Sequence, residues 1–199
     1  MSKEGMRTER RLNRLVQVLR HRQPDLTVVM ENIHDPHNVS AILRSCDAAG
    51  VMEVQLIYTD TEFPDIGKKS SASAKKWVDL RQFNSVKECY NKLHEEGFVI
   101  FATRLGKTAK SFYDIDMAGK VAIVVGNEHD GVSSEAAQLA DGTLQIPMYG
   151  MIQSLNVSVA TAVLLFEAVR QRMVRGQYQE SKYSNTEIAR LLKIWAMKE

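Results

Sequence analysis

The chain has 199 residues, 44% hydrophobic and 25% charged, with a formal net charge of +2. This fits one globular domain of ordinary size with room for terminal extensions and a sizeable core. No positively charged start leads into an apolar stretch of the secretory kind, and the longest apolar run, Val157 to Phe166, is broken by Ser158 and Thr161, far short of the roughly 20 residues that span a bilayer. Two distant cysteines, Cys46 and Cys89, lack metal-type spacing and suit a reducing cytoplasm, with neither a disulfide framework nor zinc.

Residues 7–22 read as an amphipathic helix. Leu12, Leu15, Val16 and Leu19 repeat at helical spacing, arginines fill the other faces, and Pro24 ends it. Leu26 to Met30 reads as a buried first strand opening into the loop from Glu31 to Asn38, where Asp35-Pro36 forces a turn. A helix from Val39 to Ala49, closed by Gly50, and a strand from Glu53 to Tyr58 complete a βαβ unit. Residues 60–76, with Lys68, Lys69, Lys75 and Lys76, read as a surface loop with a short helix, followed by a short strand from Trp77 to Leu80. Ser85 to Glu96 is helical. Phe98 to Thr103 and Val121 to Val125 are nearly all apolar, as central parallel strands are.

The tight turn Gly126 to Gly131 leads to a helix from Ser133 to Ala140. Leu144 to Ile146 is a strand stopped by Pro147. A loop holding Gly150 then runs through Ser154-Leu155-Asn156 into an apolar helix reaching Arg175. Gly176-Gln177 breaks that helix, and a last amphipathic one starts near Asn185. Alternating strands and helices predict an α/β fold with a mainly parallel sheet flanked by helices. Three segments follow: a basic helical extension over 1–25, a body over 26–175 and a helical C-terminal extension over 176–199.

Charge divides the same way. Residues 1–22 carry +5, residues 170–199 carry +4, and the middle carries −7. Basic ends around an acidic body fit polyanion binding, since phosphate contacts come chiefly from Arg and Lys; solvated helix faces are the plainer alternative. Arg11, Arg14, Arg22, Arg170 and Arg172 are the candidate phosphate contacts, and deleting 1–22 is expected to weaken polyanion binding.

Three loops at strand carboxyl ends collect polar residues: 31–44, 126–131 and 147–156. Strand carboxyl ends are where open α/β sheets bind ligands. Asn38 either caps the helix at Val39 or belongs to a site. Arg44 is either a surface salt-bridge partner or, beside Ile42, Leu43 and Cys46, part of a half-buried face, and Glu128 is a bare turn residue or a site residue. No G-x-G occurs anywhere, which removes the dinucleotide fingerprint; a P-loop and a G-x-S-x-G elbow are also absent. His34 and His37 sit in a loop without a nearby cysteine, so no metal is expected.

Asn32-x-x-Asp35-Pro36-x-Asn38-Val39-Ser40-Ala41-Ile42-x-Arg44, then Gly126-Asn127-Glu128-x-x-Gly131, then Ile146-Pro147-Met148 with Ser154-Leu155-Asn156-Val157-Ser158, resemble the motifs of the SPOUT (SpoU-type) RNA 2′-O-methyltransferases. The resemblance covers about residues 26–170. The arginine-rich start, Arg22-Gln23-Pro24-Asp25-Leu26-Thr27, Ser40 and the C-terminal extension are most similar to the TrmH group, which methylates guanosine 18 of tRNA. The resemblance implies a deep trefoil knot and a homodimer. It also implies bent S-adenosylmethionine held by backbone near Thr103, Gly126, Ile146 and Leu155, with Arg44 as the central catalytic residue oriented by Asn38, Glu128, Ser154 and Asn156. The implied reaction is 2′-O-methylation of a tRNA D-loop guanosine in the cytoplasm. The alternatives are a ribosomal RNA substrate or a non-catalytic RNA-binding module.

Overall fold

The computed structural model describes residues 3–59, 62–64, 74–106 and 108–198, with side chains from residue 8 onward except that of Ala74. Lys68 and Lys69 of the expected surface loop lie outside the described residues. In chain order the elements are α1 (Lys3–Arg20), β1 (Leu26–Glu31), α2 (Pro36–Ala49), β2 (Glu53–Ile57), α3 (Ala74–Trp77), β3 (Asp79–Phe83), α4 (Val86–Glu95) and β4 (Val99–Thr103). After these come β5 (Lys110–Ser111), a 3₁₀ turn (Phe112–Asp114), β6 (Val121–Val125), α5 (Ser134–Leu139), β7 (Gly142–Gln145), α6 (Val157–Val174) and α7 (Asn185–Ala196).

The strands form a seven-stranded sheet in the order β3-β2-β1-β6-β4-β7-β5, and every pairing in it is parallel. Its central strands alternate between two buried faces, which is why they read as unbroken apolar runs. Val28, Met30, Val121, Ile123 and Val125 pack beneath α2 and α6 with Ile42, Leu43, Leu164 and Leu165. Val29, Ala122, Val124, Ile100 and Ala102 pack on the other side with Tyr90 and Leu93 of α4 and Ala136 of α5. A third cluster joins the two chain ends: Leu15 and Leu19 of α1 meet Ile188, Leu191 and Trp195 of α7.

The registers align the carboxyl ends of the middle strands, with Met30 opposite Val125, Ala102 opposite Val124 and Thr103 opposite Leu144. The loops after β1, β4, β6 and β7 therefore leave the sheet side by side. Two local expectations change. A helical turn ends at Trp77 before the strand at 79–83, and the two-residue β5 was not foreseen. No helix among the described residues is long and apolar enough to cross a membrane.

Candidate active site

The loop after β1 is built to turn sharply. Asn32 has a positive φ of 47°, a conformation that asparagine tolerates better than most residues. Its amide donates to Thr59 Oγ1 at 3.2 Å and its carbonyl accepts the Thr59 N–H at 3.0 Å. Asp35, not Asn38, caps α2: its carboxylate accepts the His37 N–H at 2.8 Å, and Pro36 occupies the first turn, where its missing N–H costs nothing. The helix begins three residues earlier than its apolar periodicity indicates, and Asn38 is left inside the first turn, 7% exposed and available for another contact.

That contact is Glu128, in the turn after β6. Asn38 Nδ2 donates to Glu128 Oε1 at 2.8 Å, and the same carboxylate accepts the backbone N–H groups of His34 and Asp35 at 3.4 Å each. Partial burial pushes the Glu128 carboxyl upward. Hydrogen bonds from Asn38 and from the backbone of Glu128, His34 and Asp35 outweigh it, so the group is held below its ordinary 4.5 and is ionised at neutral pH. The turn itself requires glycine: a Cβ on Gly126 would stand 2.0 Å from the Gly131 carbonyl oxygen. Asn127 Oδ1 closes the turn by accepting the N–H groups of His129 and Asp130 at 2.8 and 2.7 Å.

The third loop ends at Asn156, the N-cap of α6, whose side-chain oxygen accepts from Ser158 N at 2.9 Å and Val159 N at 3.4 Å. Its amide donates to Asn38 Oδ1 at 3.0 Å. Asn156, Asn38 and Glu128 thus form a chain of hydrogen bonds with every donor directed toward the carboxylate. An ionised carboxylate only accepts, which fixes the orientation of both amides. Glu31, missed in the sequence, braces this arrangement from below: 4% exposed, it accepts the Ser133 N–H at 2.8 Å and so ties the first loop to the second. A carboxylate closing an otherwise apolar strand was the available signal.

Beside the relay lies a cleft of about 800 Å³. Thr103, Gly126, Ile146 and Leu155 all line it, together with Glu128, Ser154 and Asn156. Thr103 Oγ1 donates to the Val124 carbonyl at 2.9 Å, joining two of the strands that form its floor. Leu155 and Ile146 supply apolar wall, a fit for a flat heterocycle with polar atoms at its edge. Arg44 does not line the cleft. Ile42, Leu43 and Cys46 around it are buried, but Arg44 is exposed and its side chain makes no hydrogen bond or ion pair among the described residues. Among the described residues no group of three His, Cys, Asp or Glu side chains is arranged to hold a metal ion.

The five candidate phosphate-binding arginines separate into two kinds. Arg11 and Arg14 are exposed on α1, with Arg11 also donating to the Lys198 carbonyl at 2.7 Å, and Arg170 is exposed beside Glu167, which it grips at 2.7 and 2.8 Å. Arg22 and Arg172 are corrected: both are 0% exposed and committed to internal partners. Arg22 pairs with Asp47, donates to the carbonyls of Val51 and Trp77, and lies over the Trp195 ring at 5.1 Å. Arg172 binds the Asp25 carboxylate, Gln23 and the carbonyls of Asp25, Met117 and Gly119. A buried guanidinium needs internal partners to offset its desolvation; among the described residues Arg22 Nε is left without one, but it too is sealed from solvent, so neither arginine reaches RNA. For the same reason deletion of 1–22 is not a clean probe of RNA binding, because it removes Leu15, Leu19 and Arg22 from the packed interior.

The SpoU rRNA Methylase family matches residues 25–166. A tRNA (guanosine(18)-2'-O)-methyltransferase of Thermus thermophilus is 47% identical over 192 residues, covering 96% of this chain and 98% of that protein. The crystal structure of the Aquifex aeolicus TrmH/SpoU tRNA modifying enzyme superposes with a TM-score of 0.89 at 41% identity, covering 95% of this chain and 96% of that one. The SpoU methyltransferase AviRb of Streptomyces viridochromogenes, in complex with the cofactor AdoMet, gives a TM-score of 0.70 at 26% identity over 78% of this chain and 64% of its own. With its second and third motif loops lining one cleft, the first bonded to both through Asn38, and the Thermus and Aquifex relatives spanning nearly its whole length, the chain belongs to the SpoU rRNA Methylase family.

Proposed function

We propose that this protein transfers a methyl group from S-adenosylmethionine to the ribose 2′-hydroxyl of guanosine 18 in the D-loop of tRNA, working as a cytoplasmic homodimer. The observation that carries the reading is the Glu128–Asn38–Asn156 relay, which ties three separate loops together at the rim of the cleft. The activity named for the 47% identical Thermus thermophilus relative supports the choice of substrate.

S-adenosylmethionine, when bound, supplies an electrophilic sulfonium methyl. Backbone around Thr103, Gly126, Ile146 and Leu155 holds it, and the residues of the chain contribute chiefly position. Arg44 acts as a cation, not a base. Deprotonating an arginine near neutral pH would cost at least about 7 kcal/mol, from a pKa above ~12 at ~1.36 kcal/mol per unit. Its planar fork grips an RNA phosphate and steers the neighbouring 2′-hydroxyl, with that phosphate taking the proton or easing its loss. Asn38, Ser154 and Asn156 place the ribose, and ionised Glu128 fixes the direction of the amides. The exposed cations of Arg11, Arg14 and Arg170 carry phosphate contacts without reading sequence.

The homodimer uses the outer face of α6. Seven residues apart on that helix and outside its buried stripe, Val159 and Phe166 remain 49% and 53% exposed. The family's deep trefoil knot is the expected path of the chain between β4 and α6. The cytoplasmic setting rests on Cys46 and Cys89, both buried free thiols.

The deciding experiment is methylation of tRNA transcripts and of ribosomal RNA from labelled S-adenosylmethionine, with the modified nucleotide mapped. Label at guanosine 18 of tRNA is the expected result, and label on ribosomal RNA alone overturns the substrate assignment. Arg44→Lys is expected to lose most activity, because lysine offers a point charge in place of a fork; a variant of near-normal rate would sink the clamp role.

A further inference from the structure

Two charged side chains on the cleft wall have no partner in the relay. Arg104 follows β4 and is pinned by its own backbone N–H, which donates to the Leu144 carbonyl at 3.0 Å. Of the described residues lining the cleft it is the only lysine or arginine. Asp130 lies in the turn after β6, its N–H held by Asn127 Oδ1 at 2.7 Å. Both are exposed, both line the cleft, and neither makes an ion pair among the described residues. They do not pair with each other either, although their backbones are fixed around the same space. Glu128, the other carboxylate of the lining, is already saturated by Asn38 and two backbone N–H groups.

A cation and an anion, each on an anchored backbone, lining one apolar-walled cleft complement a ligand carrying both charges at one end. An α-amino acid has this pattern, a carboxylate and an ammonium on one carbon. We propose that Arg104 binds the α-carboxylate and Asp130 the α-ammonium of the cofactor's methionine moiety, leaving Ile146 and Leu155 to the nucleoside. The inference rests on the cofactor reading above and adds side-chain recognition to a site otherwise formed by backbone and apolar groups.

Calorimetric titration with two ligands tests it: S-adenosylhomocysteine, which keeps the amino-acid end, and 5′-methylthioadenosine, which lacks it. The intact protein is expected to bind the first at least tenfold more tightly. Arg104→Ala should weaken S-adenosylhomocysteine about threefold to tenfold, the range of a part-solvated charged contact, and leave methylthioadenosine unchanged. Asp130→Asn should act in the same direction by about threefold. Unchanged methylthioadenosine affinity also reports that the variants fold. Equal affinity of the intact protein for both ligands, or an equal loss of both in Arg104→Ala, overturns the clamp while leaving the cofactor reading in place. Binding of neither ligand overturns the cofactor reading itself. A normal ligand ratio in Arg104→Ala with weakened tRNA binding would reassign Arg104 to RNA phosphate and likewise overturn the clamp.

Discussion

Asn156 donates to Asn38 at 3.0 Å across 118 residues of chain while its side-chain oxygen caps α6. One side chain therefore starts a helix and closes the site. Asn156→Asp separates the two duties. Aspartate caps as well as asparagine, so the melting temperature should barely move. It has no amide to donate, and either orientation of Asn38 then faces an oxygen toward a carboxylate. Methyl transfer should fall about 10²-fold, the scale of a misplaced reacting group. Asn156→Ala should lose the cap too, about 1 kcal/mol, visible as a lower melting temperature. Single-turnover rates beside thermal melts distinguish the two variants.

Glu128 makes stability depend on acid. Its carboxyl is held below the ordinary 4.5 in the folded state, so its contribution is fully present above that value and is lost as pH falls through the lower folded value. Glu128→Gln should melt below the parent at pH 7, and the gap should close as the pH is taken down through that range. A gap independent of pH would show that the ionised form contributes nothing.

Arg172 and Arg14 should behave oppositely. Arg172→Met leaves Asp25 and several carbonyls short of a buried partner and should cost about 3–5 kcal/mol of stability. Arg14→Ala, on the exposed face of α1, should change stability by no more than ~0.5 kcal/mol. It should weaken tRNA binding and lower the salt slope by about 1. Denaturant titrations and binding measured at several salt concentrations give both readings.

Gly126→Ala places a methyl where the Gly131 carbonyl already stands, 2.0 Å away. The turn has to open, so cofactor binding should be abolished and the fold weakened by several kcal/mol. Gly150→Ala is the matched control, since a Cβ there meets nothing within 4 Å. Calorimetry with S-adenosylhomocysteine should find near-parent affinity for the control alone.

Phe166→Glu charges the outer face of α6 without entering the core. If the proposed homodimer forms through this face, sedimentation should find the parent as a dimer and the variant as a monomer, with an unchanged circular dichroism spectrum. A persistent dimer would move the interface elsewhere.

The strands were legible because both faces of the sheet are buried, which leaves apolar runs such as Val121 to Val125 that few other structures produce. The cap of α2 was harder: Asp35-Pro36 looked like a turn, and the turn and the helix start are the same residues. β5 had no signal, since two residues, Lys110 and Ser111, pair through backbone alone. Arg22 and Arg172 were misassigned for a physical reason. Charge counts see sign but not partners, and Arg172 finds its carboxylate 147 residues away. Arg44 went the other way: its apolar neighbours turn inward and leave it on the surface.

The joining of α1 to α7 alters what the termini are. Trp195, four residues from the end of the chain, is 1% exposed and covers Arg22, which in turn holds Asp47, three residues beyond Arg44 on α2. The last helix is a keystone and not a tail. A minimal catalytic fragment cut at residue 175 would strip the cover from a buried cation, so the shortest chain able to keep α2 in place is close to the whole one.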